Sequence, residues 1–382
     1  MGAHKTYKVI IPYTESANPR KKFKIEYSVD AANRESALKI AEREFTAYTD
    51  YNSASWVRMI EREGIRIWKI LPDLPQTPAH IDELAAKLSS KDDDVLYNCL
   101  KVLGELEDSS PGDEIIKLFD HKNPEIVALA IETLGKTGDP SNLGAIMNFY
   151  KPELHQRVRA CIVTAVGKIA LPDDDVLDFI SKALIDPDSR VRANAVEALE
   201  LLDIADTAKL LLPMLEDEDN RVRANVIKAL WNKDDQDKLL KTLKEMAQND
   251  NPWMKASSIF VLDKVRVPGR TELLASMCYD EHPKIRENAR AALFRINSLD
   301  CLPYWLELIS TDEEFSDVAD KVLSFGEKAI SPLLSFKGTT PESRKHASNI
   351  LDMLEQQILK NSGWITWLKT KQKRLFKTTD DN

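Results

Sequence analysis

The feature that most constrains this chain is a motif that returns about every 32 residues along most of its 382. Its fullest copy reads Asp186-Pro187-Asp188-Ser189-Arg190-Val191-Arg192-Ala193-Asn194-Ala195-Val196-Glu197-Ala198-Leu199. The apolar residue before the second basic position recurs at Val95, Ile126, Val158, Val191, Val222, Met254 and Ile285, at spacings of 31, 32, 33, 31, 32 and 31. Phe315 sits in a weaker copy and Ser343 in a degenerate last one. A fixed period of this length marks a repeat architecture, because a unit of one or two helices cannot bury its apolar face alone and must stack on its neighbours.

Each copy reads as two helices. Asp or Asn stands before the second helix, where its side chain satisfies free N–H groups. Proline follows in Asn123-Pro124 and Asn251-Pro252, and stands after His282 as Pro283; at the first helical position its missing N–H costs nothing. Val191, Ala195, Val196, Leu199 and Leu202 then recur at the helical period. Second helices are predicted at 189–202, 220–231, 252–265 and 283–296, and first helices at 175–185, 205–215, 236–247, 272–278 and 302–309. Ahead of them, residues 6–13 and 22–29 read as strands around a turn at 18–20. A helix opens after Asn33 with Ala37, Ile40, Ala41, Phe45 and Tyr48 on one face, and two further strands flank Arg62-Glu63-Gly64. Pro72, Pro75 and Pro78 then make a stiff, extended connector. The expected organisation is a small α/β module of ββαβ type at 1–72, a Pro-rich linker at 73–79, a repeat solenoid at 80–360 and a basic amphipathic tail at 361–382.

The pattern Asp-Pro-x-x-Arg-Val-Arg-x-x-Ala-x-x-Ala-Leu resembles HEAT repeats, in particular the short-period form named after phycobilisome lyases. The resemblance implies a mainly α fold, an α-α superhelix (α-solenoid) of roughly eight repeats, and leaves function open, since this architecture hosts many roles. It also implies that an acid in each inter-helix turn pairs with a base in the second helix. Asp186 with Arg192, Asp217 with Arg223 and Asp280 with Arg286 stand six residues apart in that relation, and a ladder of such pairs would fix the stacking.

Three other sets invite a functional reading. Arg157, Arg190, Arg221 and Lys284 form an outer basic column with no acid at constant spacing, either a solvated face or an edge for an acidic partner. Asn98, Asn194, Asn225 and Asn288 occupy a mid-helix place that asparagine disfavours, so they serve either a bond to the adjacent turn or a grip on a bound peptide. Trp231 and Trp253 are candidate anchors or core. In the tail, Trp364, Trp367, Lys371, Lys373 and Arg374 suit an acidic groove, the exposed end of the solenoid, or a membrane interface.

Charge and composition narrow the classes. The net charge is −9, with 13 Lys+Arg against 9 Asp+Glu in residues 1–72 and 6 against 2 in residues 360–382, so two ends of +4 leave −17 between them. Such a middle disfavours nucleic acid and a DNA-glycosylase role. Cys99, Cys161, Cys278 and Cys301 show no metal-type spacing, and no His-Glu dipeptide occurs, which argues against the iron chemistry of deoxyhypusine hydroxylases. The N-terminus lacks a signal-type apolar run and no stretch reaches membrane-span length, so a cytoplasmic protein is expected. The reading is a non-enzymatic scaffold or adaptor, with no cofactor and no metal, binding a protein partner on the concave surface. The alternatives are a lyase- or hydroxylase-like enzyme or enzyme subunit, and a peripheral membrane adaptor using the tail.

Overall fold

The computed structural model describes residues 5–15, 18–52, 58–72, 74–75, 77–107, 111–203, 207–233 and 236–362. The chain divides into two compact units, Met1–Asp234 and Asp235–Asn382.

The first unit opens with an antiparallel hairpin of β1 (Lys5–Glu15) and β2 (Asn18–Ala31), in one register from Lys5↔Ala31 to Tyr13↔Phe23 and shifted before the last pair, Glu15↔Asn18. The sequence suggested a turn at 18–20, but the strand is already running at Asn18. Pro19 is tolerated there because, among the described residues, β2 pairs with β1 alone and Pro19 falls in the stretch where the register shifts. After α1 (Arg34–Asn52), β3 (Arg58–Ile60) and β4 (Arg66–Lys69) both return to β1, β3 at Tyr13–Glu15 and β4 at Tyr7–Ile10. The sheet is thus four-stranded, with the alternation of the sequence setting its faces. Tyr7, Val9, Ile11, Tyr13 and Val29 pack on Ala37, Ala41 and Phe45 of α1. Asn33 starts that helix by accepting the Ser36 N–H at 2.8 Å.

Five helix pairs complete this unit: α2 (Ile81–Lys87) with α3 (Asp93–Leu106), α4 (Gly112–Ile116) with α5 (Pro124–Thr137), α6 (Leu143–Phe149) with α7 (Gln156–Ile169), α8 (Asp174–Ala183) with α9 (Ser189–Leu202), and α10 (Ala208–Leu211) with α11 (Asn220–Leu230). The second unit holds four more: α12 (Gln236–Ala247) with α13 (Pro252–Lys264), α14 (Arg270–Met277) with α15 (Pro283–Arg295), α16 (Leu302–Leu308) with α17 (Asp312–Ser324), and α18 (Ile330–Ser335) with α19 (Pro341–Ser362). The architecture is a mainly α, HEAT-like solenoid behind a small α/β module. Nine described pairs stand where roughly eight repeats were expected. Phe315 keeps the register, with Ala319 and Val322 buried one and two turns on, and Ser343 does the same ahead of Ala347, Ile350 and Leu351. First helices α8, α12, α14 and α16 keep within two residues of the expected bounds at each end. The one expected at 205–215 is α10 continued by a 3-10 turn, Leu212–Glu216, because Pro213 cannot donate into an α-helical ladder.

In the first unit the second helices from α3 to α11 stack directly on one another, and glycines set how closely. A Cβ on Gly167 of α7 would lie 2.6 Å from the Cβ of Ala198 and 2.8 Å from its Cα, so α7 and α9 approach to backbone contact; Gly135 of α5 and Ala165 of α7 repeat the arrangement at 3.0 Å. At the start of the stack there is no earlier helix, and β4 takes its place. Trp68 stacks on Tyr97 of α3 with ring centroids 4.6 Å apart, and Asp94 of α3 accepts the Lys69 N–H at 3.1 Å and pairs with Arg34.

Candidate functional site

The site is built on the turns that lead into the second helices. Asp188 and Asp219 cap α9 and α11, accepting the N–H of Arg190 at 2.9 Å and of Arg221 at 2.8 Å. Two residues earlier Asp186, Asp217 and Asp280 fold each turn by accepting the N–H of Asp188, Asp219 and His282 at 2.8, 2.8 and 2.9 Å. The bases of the inner column then join these turns in a way that spacing alone does not reveal. Arg192 donates to the carbonyls of its own turn, Asp186 at 2.9 Å and Pro187 at 3.2 Å, while its Nε and Nη2 hold the carboxylate of Asp217, in the next repeat, at 2.8 and 2.9 Å. Arg159 grips Asp186 at 2.8 and 2.9 Å, and Lys255 reaches Asp280 at 2.6 Å. Arg223 and Arg286 bind carbonyls of their own turns, Arg223 at Asp217 and Arg286 at Asp280 and Glu281. Each carboxylate is therefore bonded to the base of the preceding repeat, and its own repeat's base takes the turn carbonyl beside it.

Asp186 is the most enclosed of these acids. Burial pushes its carboxyl upward, and hydrogen bonds from Arg159, the Tyr150 hydroxyl at 2.7 Å and the Asp188 N–H outweigh that and hold it below the usual range. The Tyr150 phenol is pushed upward by burial and by that bond to Asp186.

Asn194 and Asn225 face the neighbouring helix rather than the turn. Asn194 donates to the Ala160 carbonyl at 3.0 Å and the Thr164 hydroxyl at 2.8 Å, both on α7. Asn225 donates to the Ala193 carbonyl at 3.2 Å and to Glu197 at 2.8 Å, both on α9. Asn98, in the same place on α3, donates to the Lys69 carbonyl of β4 at 2.8 Å and accepts the Leu71 N–H at 3.2 Å. Asn225 is only 4% exposed, which removes it from any gripping surface. Trp231 is likewise 4% exposed and belongs to the core of its repeat, not to a contact face. Trp253 is half-buried in the first turn of α13, and Asn288 is half-buried in α15. Trp364, Trp367, Lys371, Lys373 and Arg374 lie outside the described residues.

The outer basic column stays at the surface. Arg190 forms a two-point pair with Asp188 at 3.0 and 3.2 Å, Arg221 is exposed, and Lys284 pairs with Glu287 at 2.9 Å. Arg157 and Arg190 border a cavity of about 380 Å³ over α5, α7 and α9. Its floor is Gly135, Ala160 and Ala165; Cys161, Thr164 and Asn194 contribute polar atoms, and Lys24 of β2 closes one side. Sequence reasoning found Arg157, Arg190 and Asn194 here and missed Lys24, Lys136 and Lys168. Lys136 and Lys168 are both ten residues after their reference positions, in last turns where a cation also complements the helix dipole, so their convergence shows only once the helices are stacked. The Cys161 thiol is pushed up to about 11 by burial. Among the described residues no group of three or more His, Cys, Asp or Glu is placed to hold a metal ion, and no helix is long and apolar enough to cross a membrane.

The family model for HEAT repeats matches residues 81–151, 145–221 and 208–294. No curated protein matches the chain significantly. Among solved structures, YibA of Escherichia coli is 17% identical, with 72% of this chain and 92% of that one covered, at a TM-score of 0.40. The complex of CpcE and CpcF of phycocyanin lyase from Nostoc sp. PCC7120 is 16% identical, with 75% and 99% covered, at 0.38. Human deoxyhypusine hydroxylase is 15% identical, with 73% and 96% covered, at 0.32. Likeness at this level says nothing about activity.

Proposed function

This chain belongs to the HEAT-repeat family, and from that premise we propose that it is a non-enzymatic scaffold that holds a protein partner on the surface of its second helices. The observation that carries the reading is the cavity over α5, α7 and α9, where Arg157, Arg190 and Asn194 converge. Residues that sequence alone could have assigned to binding divide into two classes there. Arg159, Arg192 and Asn225 are committed to joining repeats, whereas Arg190 and Arg221 remain at the surface of consecutive second helices, and the half-buried Arg157 does both, pairing with Glu125 of α5 while lining the cavity. The groups lining the cavity are cations, the carboxylate of Glu132, an amide and a hydroxyl, with one high-pKa thiol, which suits recognition better than nucleophilic chemistry.

The test is the double variant R190E/R221E. Capture of a stoichiometric protein from native lysate should be lost, while thermal unfolding changes little, because surface substitutions cost within about 0.5 kcal/mol. A large drop in stability would return both arginines to a purely structural role, and undiminished capture would place the partner elsewhere.

A further inference from the structure

Resting on that reading, we propose that the cavity over α5, α7 and α9 takes an acidic peptide segment, rich in Asp and Glu, of the partner, and that the N-terminal sheet is part of the binding site rather than only the end of the stack. The geometry of the wall makes the second half of this statement. Lys24 projects from the face of β2 opposite α1 and lines the same cavity as Arg157 and Arg190. The sheet is held there by the Trp68–Tyr97 stack and by the bonds between β4 and Asn98.

Charge accounting identifies the ligand. Lys8 and Lys24 share one carboxylate, Glu26, at 2.6 and 3.4 Å. Lys101 and Lys136 share Glu132 at 3.7 and 3.5 Å. Arg157 has Glu125 at 3.0 Å and Arg190 has Asp188 at 3.0 Å. Lys168 is exposed and pairs with no carboxylate among the described residues. Seven cations thus stand against four carboxylates, a local positive excess on a chain whose net charge is −9. The field is felt nearby: the His155 imidazole, at the start of α7, is held low by burial and also by Arg190 and Arg157, against the pull of Glu125. An acidic segment is repelled by most of the solenoid and drawn to this place.

The shape of the site favours peptide over nucleic acid. A volume of about 380 Å³ matches a short piece of chain, and among the described residues no aromatic ring lines it to stack a base. A polyanion with uniform backbone charge would run out onto the acidic surface, whereas a peptide can confine its carboxylates to the cavity. Asn194 gives both its N–H donors to α7, so the carbonyl oxygen of its amide is the group left to meet a peptide N–H.

A fluorescein-labelled hexaglutamate peptide titrated into the full chain tests this by anisotropy. Saturable binding that weakens steeply with added salt is expected. The variant K24E/K168E should weaken it by roughly tenfold, the size of two exposed charge pairs turned from attraction to repulsion. K24Q/K168Q should fall between the two, and both variants should melt with the parent protein. Bound peptide should also slow alkylation of Cys161, the half-buried thiol of the cavity, but not of the three buried cysteines. No saturable binding, equal affinity in K24E/K168E, or unprotected Cys161 would overturn the assignment. So would stronger competition by an oligothymidylate of equal charge. If hexaglutamate fails while R190E/R221E still abolishes protein capture, the scaffold reading stands and the acidic ligand class falls.

Discussion

At the residue scale, Asp186 shows how one carboxylate fastens two repeats. It accepts from Arg159 through two nitrogens, from Tyr150 and from the Asp188 N–H, with its side chain 3% exposed. Replacing it in D186N leaves the Arg159 charge buried against carbonyls alone. The expected cost is about 3 kcal/mol, the low end for breaking a buried pair, because Pro152 and Leu154 still accept from that guanidinium. The pH dependence has a definite sign. The folded carboxyl lies below its ordinary value of 3.8, so its contribution is fully present above that value and is lost as the pH falls through the folded pKa. Denaturant titrations of parent and D186N should therefore converge in strong acid and diverge toward neutrality. The sequence already contained the residues of this pair but not the pairing. Spacing suggested Asp186 with Arg192, and the structure gives Asp186 to Arg159, 27 residues back, because stacking brings the preceding helix closer to the carboxylate than its own.

At the scale of elements, the second helices were legible and the rest less so, for physical reasons. A cap residue, an occasional proline at the first position and a full apolar period all mark the same boundaries in α9, α11, α13 and α15. First helices such as α10 lack those signals and are interrupted by proline. Helix proximity was not legible either, since glycine in a helix pattern reads as a defect until its neighbour is seen. G167A should destabilise the protein by about 1–3 kcal/mol through overpacking against Ala198, despite a gain of about 1 kcal/mol in helix propensity. G144A in α6, where a Cβ would meet nothing within 4 Å, should instead stabilise by about 0.5–1 kcal/mol. Urea midpoints of the two variants read the contrast directly. Equal shifts in both would mean that α7 and α9 do not touch at Gly167.

At the scale of the whole molecule, the repeat period announced the fold and relates Arg157 to Arg190, which stand one residue before their reference positions in consecutive repeats, while the cavity also depends on Lys24, which no periodicity connects to them. The Asn column illustrates the same limit. Its regularity signalled a task, and the task is split: Asn98 ties the sheet to the first second helix, Asn225 is sealed between repeats, and Asn194 borders the cavity. The central claim is that a protein partner lies on the second-helix surface of the first unit. A photo-crosslinking amino acid placed at Lys168 or Arg221, and at the exposed Asp178 of the first helix α8 as the control, tests it in the native cell. The account predicts a single shared protein adduct from positions 168 and 221 and none from 178. An adduct from 178 alone, or the same adduct from all three, would contradict it.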